Sequence, residues 1–223
     1  MNLLRAARAV MHRDVQRLLR RRGHWTQPLL FFVMVTTLFP FALGQAEITA
    51  RIAPAVVWTA VLLATTLSLE EIFRSDFDDG SLDQLALSPY PLALLLFAKS
   101  VAHWLTALLP LIAMAGAAAL AFDLAPLPRR TLITTLLLGT PVFSLIGTVA
   151  SALTVGLRGG ALLLALIVMP LYIPVLIFGA GAVNNAVLGI PSSGEHFFLA
   201  GLAVLATTLA PFAAAAGLRA RLS

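Results

Sequence analysis

The chain is 223 residues long, 60% hydrophobic and only 11% charged, with a mean hydropathy of +0.95. Soluble domains carry about twice that share of charge, so the composition excludes an ordinary soluble fold and indicates a membrane protein. Cysteine is absent and the net charge is +5; the first excludes disulfides, zinc–thiolate sites, iron–sulfur clusters and a thiol nucleophile, and the second reads as membrane orientation rather than nucleic-acid binding.

Residues 3–22 have helical period. Leu4, Ala7, Met11, Val15 and Leu18 recur at spacings of three and four, with Arg5, Arg8, His12, Arg13, Gln16, Arg17 and Arg20 filling the other side. This predicts a basic amphipathic helix over 1–22 lying along the lipid headgroups. Calmodulin-target helices share the pattern. A secretory signal is not expected, because the apolar run after Trp25 is about 20 residues, too long for a signal core of about 7–15.

Six apolar segments follow, at Trp25–Leu43, Ile52–Leu69, Leu92–Phe122, Thr131–Leu157, Ala161–Val183 and Phe197–Leu218. Each meets the length of about 20 residues needed to cross hydrocarbon. In lipid such a segment must be a helix, and the runs lack the two-residue alternation of barrel strands. The third segment is long enough to tilt or to begin outside the lipid. Seven arginines within residues 5–22 place the N-terminus in the cytoplasm. Six crossings return the C-terminus there, leaving Arg51, Arg129 and Arg130 outside. The expectation is one all-α integral-membrane domain over 1–223, with an interfacial helix at 1–22 and a cytoplasmic element at 70–90.

That element is the most distinctive stretch. Six of the ten acidic residues lie between Glu70 and Asp83. Leu69, Ile72, Phe73 and Phe77 share a helical face, while Glu70, Glu71, Arg74 and Asp78 lie off it. Gly80 can end a helix in the left-handed conformation, and Ser81 with Gln84 fits a capping box for a second short helix over Leu82–Leu87. A hairpin turn at Asp79-Gly80 and a free solvated loop are the alternatives. Apolar anchors ringed by carboxylates favour an insert for a partner's groove.

Downstream, Lys99 and His103 share a helix face beside Trp104. One reading is a proton relay or a contact on a substrate path; the other is a snorkelling lysine, a tryptophan in the aromatic belt and a histidine at the headgroups. Pro40, Pro141, Pro170 and Pro174 mark expected irregularities at membrane depth. Gly156 with Gly160, and Ala213 with Gly217, fit close helix packing. Lys99 stands in Ala98-Lys99-Ser100 with no glycine before it, so the chain lacks a phosphate loop; metal-protease and hydrolase motifs are also absent. No resident cofactor or metal is expected.

The run Leu69-Glu70-Glu71-Ile72-Phe73-Arg74-Ser75-Asp76-Phe77-Asp78-Asp79-Gly80-Ser81-Leu82-Asp83-Gln84-Leu85 resembles the acidic signature of the heme exporter protein B (CcmB-type) family. Phe73, Asp76, Asp79, Gly80, Ser81 and Leu82 occupy its pattern. Thr37-Leu38-Phe39-Pro40, Arg51-Ile52-Ala53-Pro54, Leu136-Leu137-Leu138-Gly139-Thr140-Pro141, Ala152-Leu153-Thr154-Val155-Gly156-Leu157-Arg158 and Ile173-Pro174-Val175-Leu176-Ile177-Phe178 are similar in order and spacing. The resemblance covers essentially the whole chain. It implies the six-helix, ABC-2-like permease subunit of the bacterial cytochrome c maturation ABC transporter, in the inner membrane, with both termini cytoplasmic. The implied partners are a separate ABC ATPase subunit that holds the ATP, a haem-handling membrane protein, a small membrane protein and a periplasmic haem chaperone. Two permease copies per complex follow from two nucleotide sites, haem is the implied substrate, and Lys99, His103 and Trp104 become candidate contacts on its path, through a propionate or the iron. On this reading Glu70, Glu71, Phe73, Asp76, Phe77, Asp79, Gly80, Ser81 and Leu82 dock the ATPase, and the chain is not itself an enzyme. The alternatives are a stand-alone ion- or proton-coupled carrier using Lys99, His103 and Asp123, and a non-transporting assembly scaffold.

Overall fold

The computed structural model describes residues 3–20 and 22–222, with side chains for 3–17, 26–45 and 48–221. The expected roles of Leu18, Arg20, Arg21, Arg22 and Trp25 rest on side chains outside that set. Among the described residues every element is helical: α1 (Leu3–Arg20), α2 (Arg22–Leu43), α3 (Ala46–Ser68), α4 (Glu71–Asp78), α5 (Ser81–Ala86), α6 (Leu92–His103), a π-helical turn (Trp104–Leu108), α7 (Leu109–Ala121), α8 (Pro126–Thr154), α9 (Gly160–Val187) and α10 (Ser193–Leu222).

Six helical stretches are long and apolar enough to span a bilayer. They are α2, α3 with its continuation into α4, α6 running through the π turn into α7, and then α8, α9 and α10. Hydrocarbon forces this outcome, since each backbone N–H and C=O must find its partner within the segment. The prolines at 28, 40, 54, 141, 170, 174 and 211 all lie inside helices. The third span, expected as one continuous helix, is broken by the π turn. Pro110 has no N–H to offer the Thr106 carbonyl, which weakens the α pattern at that level.

The spans through α3 and α8 are the most enclosed and α2 the least. Helix α8 packs along both α9 and α10, and α3 packs on α2 and α9. Trp58 of α3 is the largest fully buried side chain. It fits because Gly139 of α8 and Gly179 of α9 leave its ring room: a Cβ at Gly139 would sit 2.8 Å from Trp58 Cη2, and one at Gly179 would overlap the ring outright. Phe143 meets Trp58 edge-on at 6.2 Å and 85°. Tyr172 of α9 donates its hydroxyl to the Phe143 carbonyl at 2.6 Å. Gly217 fits close packing on α8, where a Cβ would come 2.9 Å from Leu153 Cδ2.

Gly156 has a different task from the helix packing expected of it. It sits beyond the end of α8 with φ 73°, and the Phe77 ring lies where its Cβ would be. Only glycine meets both demands. Gly156→Ala should therefore cost about 1–3 kcal/mol and lower the thermal unfolding temperature in detergent. A variant as stable as the parent would show that neither demand matters.

Candidate functional site

An even number of crossings puts α1, α4, α5, the α8–α9 turn and the end of α10 on one face of the bundle. Arg221 ties that face together by donating to the Val155 carbonyl at 3.0 Å. Helix α3 ends at Ser68. The Leu69 carbonyl accepts from the Ile72 N–H at 3.2 Å and also from Ser151 Oγ of α8 at 2.8 Å. The Leu69 side chain is fully buried in a notch that the missing side chain of Gly147 provides.

Helix α4 then turns Ile72, Phe73 and Asp76 inward. After Asp79 the chain reverses at Gly80, with φ 72° and ψ 4°. The helix start falls one residue before the expected Ser81 cap, and Ser81 is already helical. Its N–H donates to Asp79 Oδ1 at 2.9 Å, and its hydroxyl donates to Asp76 Oδ1 at 2.9 Å. Asp79 thus does the capping expected of Ser81, because its carboxylate reaches the first free N–H of α5. Hydrogen bonding from Ser81 holds the Asp79 carboxyl below the usual carboxylate range. The short helix buries Leu82 and Leu85. A hairpin at Asp79-Gly80 is excluded, since both flanks are helical.

A buried ionic cluster joins three elements here. Lys99 Nζ of α6 lies 2.6 Å from Asp14 Oδ2 of α1 and 2.6 Å from Asp76 Oδ2 of α4. Arg17 Nη1 reaches Asp76 Oδ1 at 2.6 Å, and Arg13 Nη2 reaches Asp76 Oδ2 and Asp14 Oδ1, each at 3.1 Å. Arg17 also touches Asp79 at 3.3 Å. The Lys99 and Asp76 side chains are only 3% and 1% exposed. The ammonium also lies 5.4 Å from the centre of the Phe73 ring. Among the described residues three cations meet three carboxylates, so their charges balance, with Lys99, Asp76 and Asp14 enclosed and Arg13, Arg17 and Asp79 at the open edge.

Several expected roles change in consequence. Lys99 does not snorkel; its charge is satisfied inside the fold. Asp76 and Phe73, expected to meet a partner, are spent on Lys99, Arg13, Arg17 and the core. Leu82 is buried too. Helix α1 turns Ala6, Val10 and Asp14 toward the bundle rather than the stripe that begins at Leu4, which is 78% exposed. The reason is electrostatic: Lys99 needs a second carboxylate, and only the Asp14 side of α1 supplies one. Trp104 donates Nε1 to Thr140 Oγ1 of α8 at 2.9 Å. His103 is buried away from headgroups, between Ser68 and Ser144. Asp123 lies at the opposite end of the third span, past Ala121 at φ 54°, so it shares no local site with Lys99 and His103.

What remains outward on α4 and α5 is a mixed surface. Arg74 pairs with Glu70 at 2.6 Å and with Asp78 at 3.3 Å. Phe77, Asp78, Asp79, Asp83 and Gln84 are exposed, and Leu87 is 85% exposed. Glu71 is half-buried. Between α4 and the α8–α9 turn lies a groove of about 240 Å³, lined by Glu70, Arg74, Phe77 and Asp78 on one side and Leu157 and Arg158 on the other. Sequence reasoning missed Asp14, Arg13, Arg17 and Leu87. One signal was available for Asp14: it is the only acid in a helix otherwise crowded with arginine.

Among known proteins, the CcmB protein family matches residues 5–221 of this chain. The heme exporter protein B of Pseudomonas aeruginosa is 51% identical over 211 residues, covering 94% of this chain and 95% of that protein. The Haemophilus influenzae heme exporter protein B is 47% identical, covering 94% and 96%. That of Escherichia coli is 40% identical, covering 90% and 91%.

Proposed function

Since the chain belongs to the CcmB family, we propose that it is the membrane permease of a bacterial haem exporter serving cytochrome c maturation. It sits in the inner membrane with both termini in the cytoplasm. A separate ABC-type ATPase subunit docks on α4–α5 and supplies the work of ATP hydrolysis. A haem-handling membrane protein, a small membrane protein and a periplasmic haem chaperone complete the system, with two permease copies per assembly. The chain itself performs no catalysis, and haem is cargo rather than a resident cofactor.

One observation carries this reading. The Lys99 cluster and the buried Phe73, Leu82 and Leu85 fix α4–α5 to the ends of the second and third spans, while Asp78, Asp79, Asp83, Phe77 and Leu87 stay outward. A rigid projection with an exposed leucine among carboxylates suits a groove with apolar floor and basic rim. A push on it is passed directly to two transmembrane helices. Asp83 and Leu87 form the better test, because neither takes part in the buried cluster. Pull-down of the tagged chain from native membranes should recover an ATPase. The double substitution Asp83→Arg, Leu87→Asp should reduce that recovery at least about ten-fold, with the permease still folded. Undiminished recovery would contradict docking at this surface.

A further inference from the structure

His103 takes no part in the Lys99 cluster, although it lies one turn beyond it on the same helix. Its Nε2 is 2.9 Å from Ser68 Oγ, and its Nδ1 is 2.9 Å from Ser144 Oγ. Ser68 Oγ is 2.7 Å from the Thr65 carbonyl, and Ser144 Oγ is 2.7 Å from the Ser100 carbonyl. One ring therefore links the last residue of α3, the last residue of α6 and the middle of α8.

Counting protons explains how this link can move. Four contacts run in a chain from Thr65 O through Ser68, His103 and Ser144 to Ser100 O. Two hydroxyls and a neutral imidazole supply three protons between them. In either tautomer the ring stays bonded at both nitrogens, and one backbone carbonyl goes without its serine. A fourth proton would fill every contact. It would also bury an imidazolium one turn from the Lys99 ammonium, and that desolvation outweighs one filled contact. The charged neighbours are Lys99 on the same helix, Asp14 on α1 and Asp76 on α4; α3 and α8 meet the ring with hydroxyls. A neutral ring with one contact spare can follow a shift of Ser68 by rotating a hydroxyl, without breaking the link to Ser144.

Two further facts give this link a direction. Ser68 lies three residues before the start of α4, so displacement of α4 reaches it first. The π turn begins at the residue after His103, and single π turns inside α-helices are frequent at functional sites. We propose that His103 is a positioning residue for transport, passing displacement of the docking element through Ser68 to the π turn of the third span and to α8.

This inference rests on the docking reading above, so the experiment has two arms. In the isolated chain in lipid nanodiscs, His103→Leu should raise backbone hydrogen exchange over 68–73 and 104–109 together. Ser68→Ala should raise it over 104–109, and His103→Gln, which can still donate and accept, should restore it. Nitrogen-15 spectra of the parent should show His103 with one protonated and one bare nitrogen. Unchanged exchange at 104–109 in both His103→Leu and Ser68→Ala would overturn the proposal. In the assembled complex, His103→Leu should lower the kcat of ATP hydrolysis about ten-fold, leaving the KM for ATP and the amount of bound ATPase unchanged. His103→Gln should recover most of that loss. A parental kcat in a His103→Leu complex would also overturn it. If the parent chain recovers no ATPase, docking fails, and the exchange arm still decides the role of His103.

Discussion

Lys99→Met should destabilise the protein by about 3–5 kcal/mol, the cost of removing one partner from a buried ion pair. Methionine keeps the length of the side chain and most of its volume, so the effect is one of charge. Asp76 would retain Arg17 at 2.6 Å, Arg13 at 3.1 Å and Ser81 at 2.9 Å. Among the described residues Asp14 would keep Arg13, itself 35% exposed. The damage should concentrate at α1, whose hold on α6 runs through Asp14. Limited proteolysis at the arginines of α1 should accelerate before the transmembrane helices unfold. Adding Asp14→Asn to Lys99→Met should return part of the loss, because the orphaned carboxylate disappears. A coupling of about 1–2 kcal/mol falls within the range for residues in direct contact. Arg74→Ala is the control. It also breaks contacts with two carboxylates, but on an open surface, and its effect on stability should be slight. If Lys99→Met proves equally mild, Lys99 is not the hub of the fold on this face.

Gly179→Val should cost about 3 kcal/mol or more, at or beyond the upper end for overpacked cores. The added Cβ would occupy the position of the Trp58 ring, and the ring has nowhere to go. It is fully buried, has Gly139 on another side and meets Phe143 edge-on. Expression of folded protein and thermal unfolding in detergent measure the loss. Trp58→Leu alone should also destabilise, by opening a cavity. Together the two substitutions should cost about 1–3 kcal/mol less than their sum, since the smaller side chain makes the room that valine needs. Additive losses would mean that Gly179 matters for some reason other than Trp58. The indole also brings a buried Nε1–H for which no acceptor is found among the described residues, so the pocket is shaped for the ring's area rather than its donor.

The spans were legible because hydrocarbon asks one simple question of a sequence. About 20 apolar residues answer it without any knowledge of neighbours, so the six segments emerge, most ends shifted by a few residues and the second running on from Leu69 through α4 to Asp78. The charged cluster was not legible. Asp14, Asp76 and Lys99 are scattered along the chain, and nothing in their local windows says that they meet. Read one at a time, Lys99 looks like a headgroup lysine and Asp76 like a solvent-facing acid. Only the docking of α1 and α4 against α6 makes each the other's counter-charge. Gly156 was misread for a related reason: small residues near the ends of apolar segments suit both helix contact and tight turns, and the Phe77 ring decides between them.

The π turn has one more consequence, for the phase of the third span. Before it the enclosed positions include Leu92, Leu95, Leu96, Lys99 and His103. From its last residue onward they are Leu108, Leu111, Ile112, Ala115 and Ala119. The step from His103 to Leu108 is longer than one α turn, and that surplus residue rotates everything beyond it by about 100°. An unbroken α-helix of the same sequence would aim Pro110, Met114 and Ala117 inward and swing Ala115 and Ala119 toward lipid. The two halves of this span are thus out of step with each other in sequence, and the wide turn is what brings them back onto a single side of the bundle.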